Sequence, residues 1–197
     1  KAFMWNRGSL KRRLCGRTRT SITPATADWC DDLLFPMFVV GVASFLSMTE
    51  ALPHQVLKTR GQLFDFDALH GVIAVFVSHQ WCGRRHADPQ FKQLCVLQRM
   101  FAKATDGKLA VGLDVLATFG LNMKARVRAA DLRGVMSWMM WYDYFSVPQP
   151  EAPIAESSQH ADLNADLGKA VSSLSTYVQK CAFFFILAPF VQHEEGH

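Results

Sequence analysis

The stretch Val72–Arg99, V-I-A-V-F-V-S-H-Q-W-C-G-R-R-H-A-D-P-Q-F-K-Q-L-C-V-L-Q-R, constrains the fold more than any other part of the chain. Val72 to Val77 is a continuous apolar run, the pattern of a strand buried on both faces. A polar loop follows, with two His, two Arg, a Trp and a Cys. Asp88 as N-cap and Pro89 at N1 then predict an amphipathic helix to Ala104, with Phe91, Leu94, Cys95, Gln98 and Phe101 on one face. Strand, loaded loop and helix make the βα unit of an α/β sheet. In open α/β sheets ligands bind at the C-terminal ends of strands, where this loop lies.

Two further apolar runs extend the pattern. Trp138–Val147, W-M-M-W-Y-D-Y-F-S-V, predicts a second central strand closed by Pro148 and Pro150. Ala182–Ala188, A-F-F-F-I-L-A, predicts a third, stopped by Pro189. Before it, Asp162 or Asn164 caps a helix with Ala170, Val171, Leu174, Tyr177, Val178 and Cys181 on one face. Strands alternating with helices give an α/β fold, a mostly parallel sheet with helices on both faces.

The flanking segments are less decided. Met37–Val40 reads as a short strand followed by a helical turn over Ala43–Met48. The apolar run 33–48 is short of the roughly 20 residues of a spanning helix, and Pro36 and Gly41 interrupt it, so no transmembrane segment is expected. Leu52–Gly61 predicts a short helix with Pro53 at its start and Gly61 just past its end. Gln62–Phe66 reads as an edge strand. Leu109–Leu116 fits a strand and a short helix equally, and Arg126–Met136 reads as a helix interrupted at Gly134.

Charge divides the chain of 197 residues in two. Residues 1–20 hold seven of its 21 Lys and Arg and no acid, which leaves 14 basic against 17 acidic residues in the remainder. Residues 1–30 therefore read as a disordered basic tail. An organelle transit peptide and an RNA- or membrane-surface-binding arm share this composition and stay open. Residues 31–197 form the domain. Its five cysteines are scattered, without C-x-x-C, which speaks against a disulfide framework or a structural zinc site and for a reducing, intracellular and cytoplasmic setting.

With parallel strands, three strand ends share one rim. They supply Ser78, His79, Gln80, Trp81, Arg84, Arg85, His86 and Asp88; then Asp143, Ser146 and Gln149; then Gln192, His193, Glu194 and Glu195. Ser78, His79, Trp81, Arg84, Arg85, His86, Asp143, Ser146 and Gln149 are the candidate ligand-binding residues, with no catalytic residue assigned. A Ser–His–Asp hydrolase is disfavoured, because Ser78 and His79 point to opposite faces of a strand and no G-x-S-x-G elbow occurs. His79, Cys82, His86, Asp88 and Asp143 are metal-ligand types without helical i, i+4 spacing, and no metal site is assigned. Arg84 and Arg85 beside a helix N-terminus suit a phosphate, although Asp88 competes for the same amides. Trp81 either stacks on a ligand ring or lids the strand. Trp138, Trp141, Tyr142 and Tyr144 read as core. Asp143 in so aromatic a strand must face the rim or find a partner.

On these motifs the chain resembles a group of proteins from dinoflagellates and other algae. That group carries F-V-S-H-x-W, H-x-D-P, W-Y-D-Y-F-S-I-P-Q and a helix leading into F-F-x-L-x-P, matched here by Phe76–Trp81, His86–Pro89, Trp141–Gln149 and Phe183–Pro189. Phe35–Val40 and Pro53–Leu57 also fit, so the match spans about residues 33–190. The group in turn is similar to the TIR and heterokaryon-incompatibility (HET) superfamily. This implies a flavodoxin-like three-layer α/β sandwich acting in signalling through protein contact or self-association, with NAD or another nucleotide as candidate ligand. In NAD-cleaving members a glutamate in a W-C-x-x-E helix carries the chemistry. Here Trp81-Cys82 lies in the first loop and Glu194 and Glu195 lack that context, so the resemblance implies a domain truncated before this helix.

Overall fold

A computed structural model describes residues 2–6, 33–109, 132, 134–150 and 160–193. In chain order the elements are β1 (Ala2–Asn6), β2 (Phe38–Gly41), α1 (Val42–Leu46), α2 (His54–Thr59), β3 (Phe64–Asp65), β4 (Ala74–His79), α3 (Lys92–Thr105), β5 (Met139–Tyr142), α4 (Asp143–Ser146), α5 (His160–Ser172), α6 (Leu174–Lys180) and β6 (Phe183–Leu187). Short 3-10 turns occupy Phe66–Ala68 and Val135–Ser137. Six strands pair in the order β1-β6-β4-β5-β2-β3.

The three apolar runs become the sheet's centre. β4 pairs in parallel with β5, Phe76 opposite Trp141, and with β6, Phe76 opposite Phe184. Parallel neighbours require crossovers, and α3 and the α5–α6 pair supply them. The crossovers run in opposite directions across β4, and their helices pack on opposite faces, as the handedness rule demands. Val75 and Val77 enter a core with Leu94, Leu97 and Phe101 of α3. Ala74 and Phe76, one residue out of phase, enter a second core with Trp141, Ala170 and Tyr177. A strand buried on both faces has no polar phase, hence the unbroken apolar run.

The sheet is parallel only at this centre, which corrects the mostly parallel expectation. β2 runs antiparallel to β5, β3 antiparallel to β2, and β1 antiparallel to β6. β2 precedes the first βα crossover, so nothing forces it to share the direction of β4. β1 lies within the segment read as a disordered tail, and its five residues instead form an edge strand. The short helix from Pro53 and the edge strand at Phe64 follow the sequence closely, with Gly61 at φ +66° just past α2.

Four expected boundaries move. The second central strand ends at Tyr142, because Asp143–Ser146 turn into α4. The helix after Asp88 begins at Lys92, not Pro89; Asp88–Phe91 close a turn first, and Phe91 takes a left-handed backbone at φ 55°. α5 starts at His160, so Asp162 sits in its first turn and Asn164 inside it rather than at the cap. The single helix expected before the third strand is two, α5 and α6, and its Val171 is exposed. The expected elements at Leu109–Leu116 and Arg126–Met136 lie largely outside the described residues. Among the described residues no helix is long and apolar enough to cross a membrane.

Candidate functional site

Because β4 and β5 are parallel, their C-terminal ends emerge side by side, Val77 opposite Tyr142. The next residues, Ser78–His79 and Asp143, therefore meet at one rim. His79 Nε2 lies 2.6 Å from Asp143 Oδ1, and the Trp81 indole donates to Asp143 Oδ2 at 2.9 Å. The Tyr144 backbone N–H donates to Oδ1 at 2.5 Å, so the start of α4 also faces the carboxylate. Burial alone would push the Asp143 carboxyl up. The His79 hydrogen bond and charge, then Trp81 and the Tyr144 amide, outweigh it and hold the group below its ordinary value of 3.8. Asp143 is thus an ionised hydrogen-bond acceptor at neutral pH.

The carboxylate fixes a proton on His79 Nε2. On the other side Nδ1 faces the Gln80 carbonyl at 3.2 Å and the Tyr142 hydroxyl at 3.3 Å. The His79 and Tyr142 rings stack at 4.1 Å and 15°, so the hydroxyl does not lie along the in-plane direction of Nδ1, and the carbonyl is its better partner. Burial raises the Tyr142 hydroxyl above its ordinary range, which keeps it protonated.

Beside this cluster opens a pocket of about 330 Å³. Phe76, Trp141 and Val147 form one side, Leu167 and Val171 of α5 and Leu174 of α6 the other. Ser78, His79, Trp81, Asp143 and Gln149 supply its polar end. Phe76 and Trp141 stack at 4.3 Å and 11°, and Phe76 and Phe184 at 5.2 Å and 6°, a ladder of near-parallel rings set by the strand register. The pocket is a slot between an aromatic sheet face and an aliphatic helix edge.

Five of the nine predicted residues, Ser78, His79, Trp81, Asp143 and Gln149, line this pocket. The other four do not. Arg84 and Arg85 are exposed on the loop beyond it. His86 is a strut: Nε2 donates to the Ala51 carbonyl at 3.1 Å and Nδ1 accepts the Asp88 N–H at 3.1 Å. Both ring nitrogens are used, so His86 is not a ligand contact. Ser146 is buried, and its Oγ accepts the Tyr142 N–H at 3.2 Å, bracing α4. Asp88 accepts from the Lys92 N–H at 3.0 Å and the Leu94 N–H at 2.8 Å. It occupies the amides that a phosphate at the start of α3 would need, which removes the basis for an Arg84–Arg85 phosphate site there.

Among the described residues, none past the end of β6 lines the pocket. Val191 and Gln192 pass beside Cys82, Asp88 and Gln90, while Glu194 and Glu195 lie outside the described residues. Among the described residues no three His, Cys, Asp or Glu cluster as metal ligands.

Three positioning residues, two of them on α2, escaped the sequence reading. Gln55 Nε2 donates to the Gln149 carbonyl at 2.8 Å and holds Gln149 at the pocket. The buried His54 donates from Nδ1 to the Phe145 carbonyl at 3.1 Å, fixing α4 from below. Their signal was the Pro-His-Gln start of α2, read as a helix start and as part of the family resemblance but given no role at the site. Gln93 does similar service for the first loop, donating to the Gln80 carbonyl at 2.6 Å. Compared with protein-family models, curated proteins and solved structures, the chain gives no significant match.

Proposed function

We propose that this chain is a TIR/HET-like three-layer α/β domain, a recognition or self-association module whose strand-end pocket holds a nucleotide-class ligand, NAD among the candidates. One observation carries the reading. A slot walled by aromatic and aliphatic side chains ends in Ser78, His79, Trp81, Asp143 and Gln149, at the C-terminal ends of two parallel strands. Few convergent polar groups in an apolar cleft at this position suit a small-molecule site.

An NAD-cleaving enzyme is the second reading, favoured by a carboxylate in the pocket. Asp143 supports binding better than proton transfer. It is held ionised and already accepts three hydrogen bonds, so it is a weak base. The test is calorimetric titration of the chain with NAD and ATP, alongside light scattering at several concentrations and an assay for released nicotinamide. Saturable binding that Asp143→Asn weakens, with ligand-dependent association and no nicotinamide release, is the expected result. A monomer that binds neither nucleotide overturns the reading.

A further inference from the structure

The polar end of the slot has acceptors left over once its internal hydrogen bonds are counted. The His79 Nε2 proton, the Trp81 indole N–H and the Tyr144 amide are all spent on the Asp143 carboxylate. The Gln149 side-chain nitrogen donates to the Val147 carbonyl at 2.8 Å and to the Asp143 carbonyl at 3.4 Å. An ionised carboxylate offers about four acceptor sites, and the three bonds leave a place on Oδ2. Asp143 lines the slot and keeps 35% of its side-chain surface exposed. Ser78 and Gln149 line the same end, and each carries a side-chain oxygen that can accept.

Charge and shape narrow the occupant. Among the described residues that line the slot, Asp143 is the only Asp or Glu, and none is Lys or Arg. An anion entering it would meet a like charge, and a carbonyl head group would find the N–H donors already committed. An ammonium brings three donors, a positive charge and no acceptor, the complement of this end. The open apolar surface lies on the helix side, because the Phe76 and Trp141 rings opposite are almost wholly buried. Leu167 and Leu174 are half-buried and Val171 is 55% exposed. At about 330 Å³ the slot lies at the small end of ligand pockets, with room for a short aliphatic body.

We propose that the slot binds a small organic cation, a protonated primary amine on an aliphatic body, with its ammonium on Asp143 and its hydrocarbon against Leu167, Val171 and Leu174. Anionic groups, phosphates included, stay outside the slot. This rests on the ligand-pocket reading above and names the chemical class of the group that enters.

Pentylamine, pentanol and pentanoate test it, because they share one alkyl body and differ in the head group. Each is titrated into the whole protein at about pH 8, where aliphatic amines are protonated and imidazoles ordinarily neutral, and followed by calorimetry and tryptophan fluorescence. Pentylamine should bind at least about tenfold more tightly than pentanol, and pentanoate should bind weakest. Asp143→Asn should bring amine and alcohol to within about threefold of each other. Val171→Arg, at an exposed position that tolerates substitution, should weaken pentylamine by setting a guanidinium at the mouth of the slot. Pentanol or pentanoate binding as tightly as pentylamine overturns the proposal. So does an amine-to-alcohol ratio unchanged in a folded Asp143→Asn protein, or a pentylamine affinity unchanged by Val171→Arg. The wild-type ranking decides even where Asp143→Asn fails to fold. Pentylamine preference without NAD or ATP binding leaves this proposal standing and removes the nucleotide reading. Nucleotide binding without amine preference does the reverse.

Discussion

His54 should make this protein lose stability in mild acid, before its carboxylates begin to titrate. The ring is 2% exposed, edged by Phe35 and Phe38, and donates from Nδ1 to the Phe145 carbonyl. Burial lowers its pKa from 6.5 to about 4; the Phe145 carbonyl opposes the shift and the nearby Lys58 charge adds to it. The folded state therefore holds the ring neutral where the unfolded chain already protonates it. Stability is complete above the unfolded value of 6.5 and falls with pH until the folded value near 4, because the unfolded state binds the extra proton throughout that window. Two and a half units correspond to a limit of about 3 kcal/mol, of which about 2.5 is spent by about pH 4.5. Urea unfolding midpoints from about pH 8 to about pH 4.5, for the wild type and His54→Gln, measure this directly. The glutamine retains an amide donor for Phe145 and does not titrate, so the variant's stability should be flatter across the window. Parallel pH profiles for the two proteins would refute the argument, since the slope would then belong to other groups.

Further outcomes follow from the site and from the cap of α3. Asp143→Asn places an amide donor against the Trp81 indole or the His79 ring; with the discount due to a side chain one-third exposed, it should cost about 2 kcal/mol and lower Tm by about 4–8 °C. A double-mutant cycle with Trp81→Phe should show a coupling of about 1 kcal/mol, and strict additivity would mean that the indole–carboxylate contact contributes nothing. Asp88→Ala strips the carboxylate from the Lys92 and Leu94 amides and should cost about 2–4 kcal/mol, seen as loss of exchange protection at those two amides before the rest of α3; uniform protection along the helix would contradict the double cap.

The centre of the sheet was legible because a strand buried on both faces admits no polar residue, and three such runs stand out along the chain. Strand direction leaves no comparable trace. The antiparallel β2 has the same unbroken apolar run a parallel strand would have, and only the lack of a crossover to its neighbour sets its direction. β1 was illegible for another reason. Its five residues pair through backbone groups with β6, which any sequence provides, so the surrounding arginines dominated the reading. Asp143 was legible through cost: a carboxylate among five aromatic residues needs partners, and it has three.

The harder lesson concerns His79 and His86, flagged together on the same loop and opposite in role. What separates them is the count of lone pairs and protons already committed. His86 spends both nitrogens on backbone, one on Ala51 thirty-five residues away and one on the amide two residues ahead. The second of these is local, a side chain accepting from the backbone at i+2 as in an Asx turn, and H-x-D-P is a spacing that permits it. His79 commits Nε2 to a carboxylate that is itself left with an open acceptor at the pocket. Residue type told where chemistry was affordable, and only the hydrogen-bond ledger tells where it is still unspent. By that test Asp143, an acceptor with a vacancy at the pocket, marks the working end of the slot, while Trp141 is core, as it read from sequence.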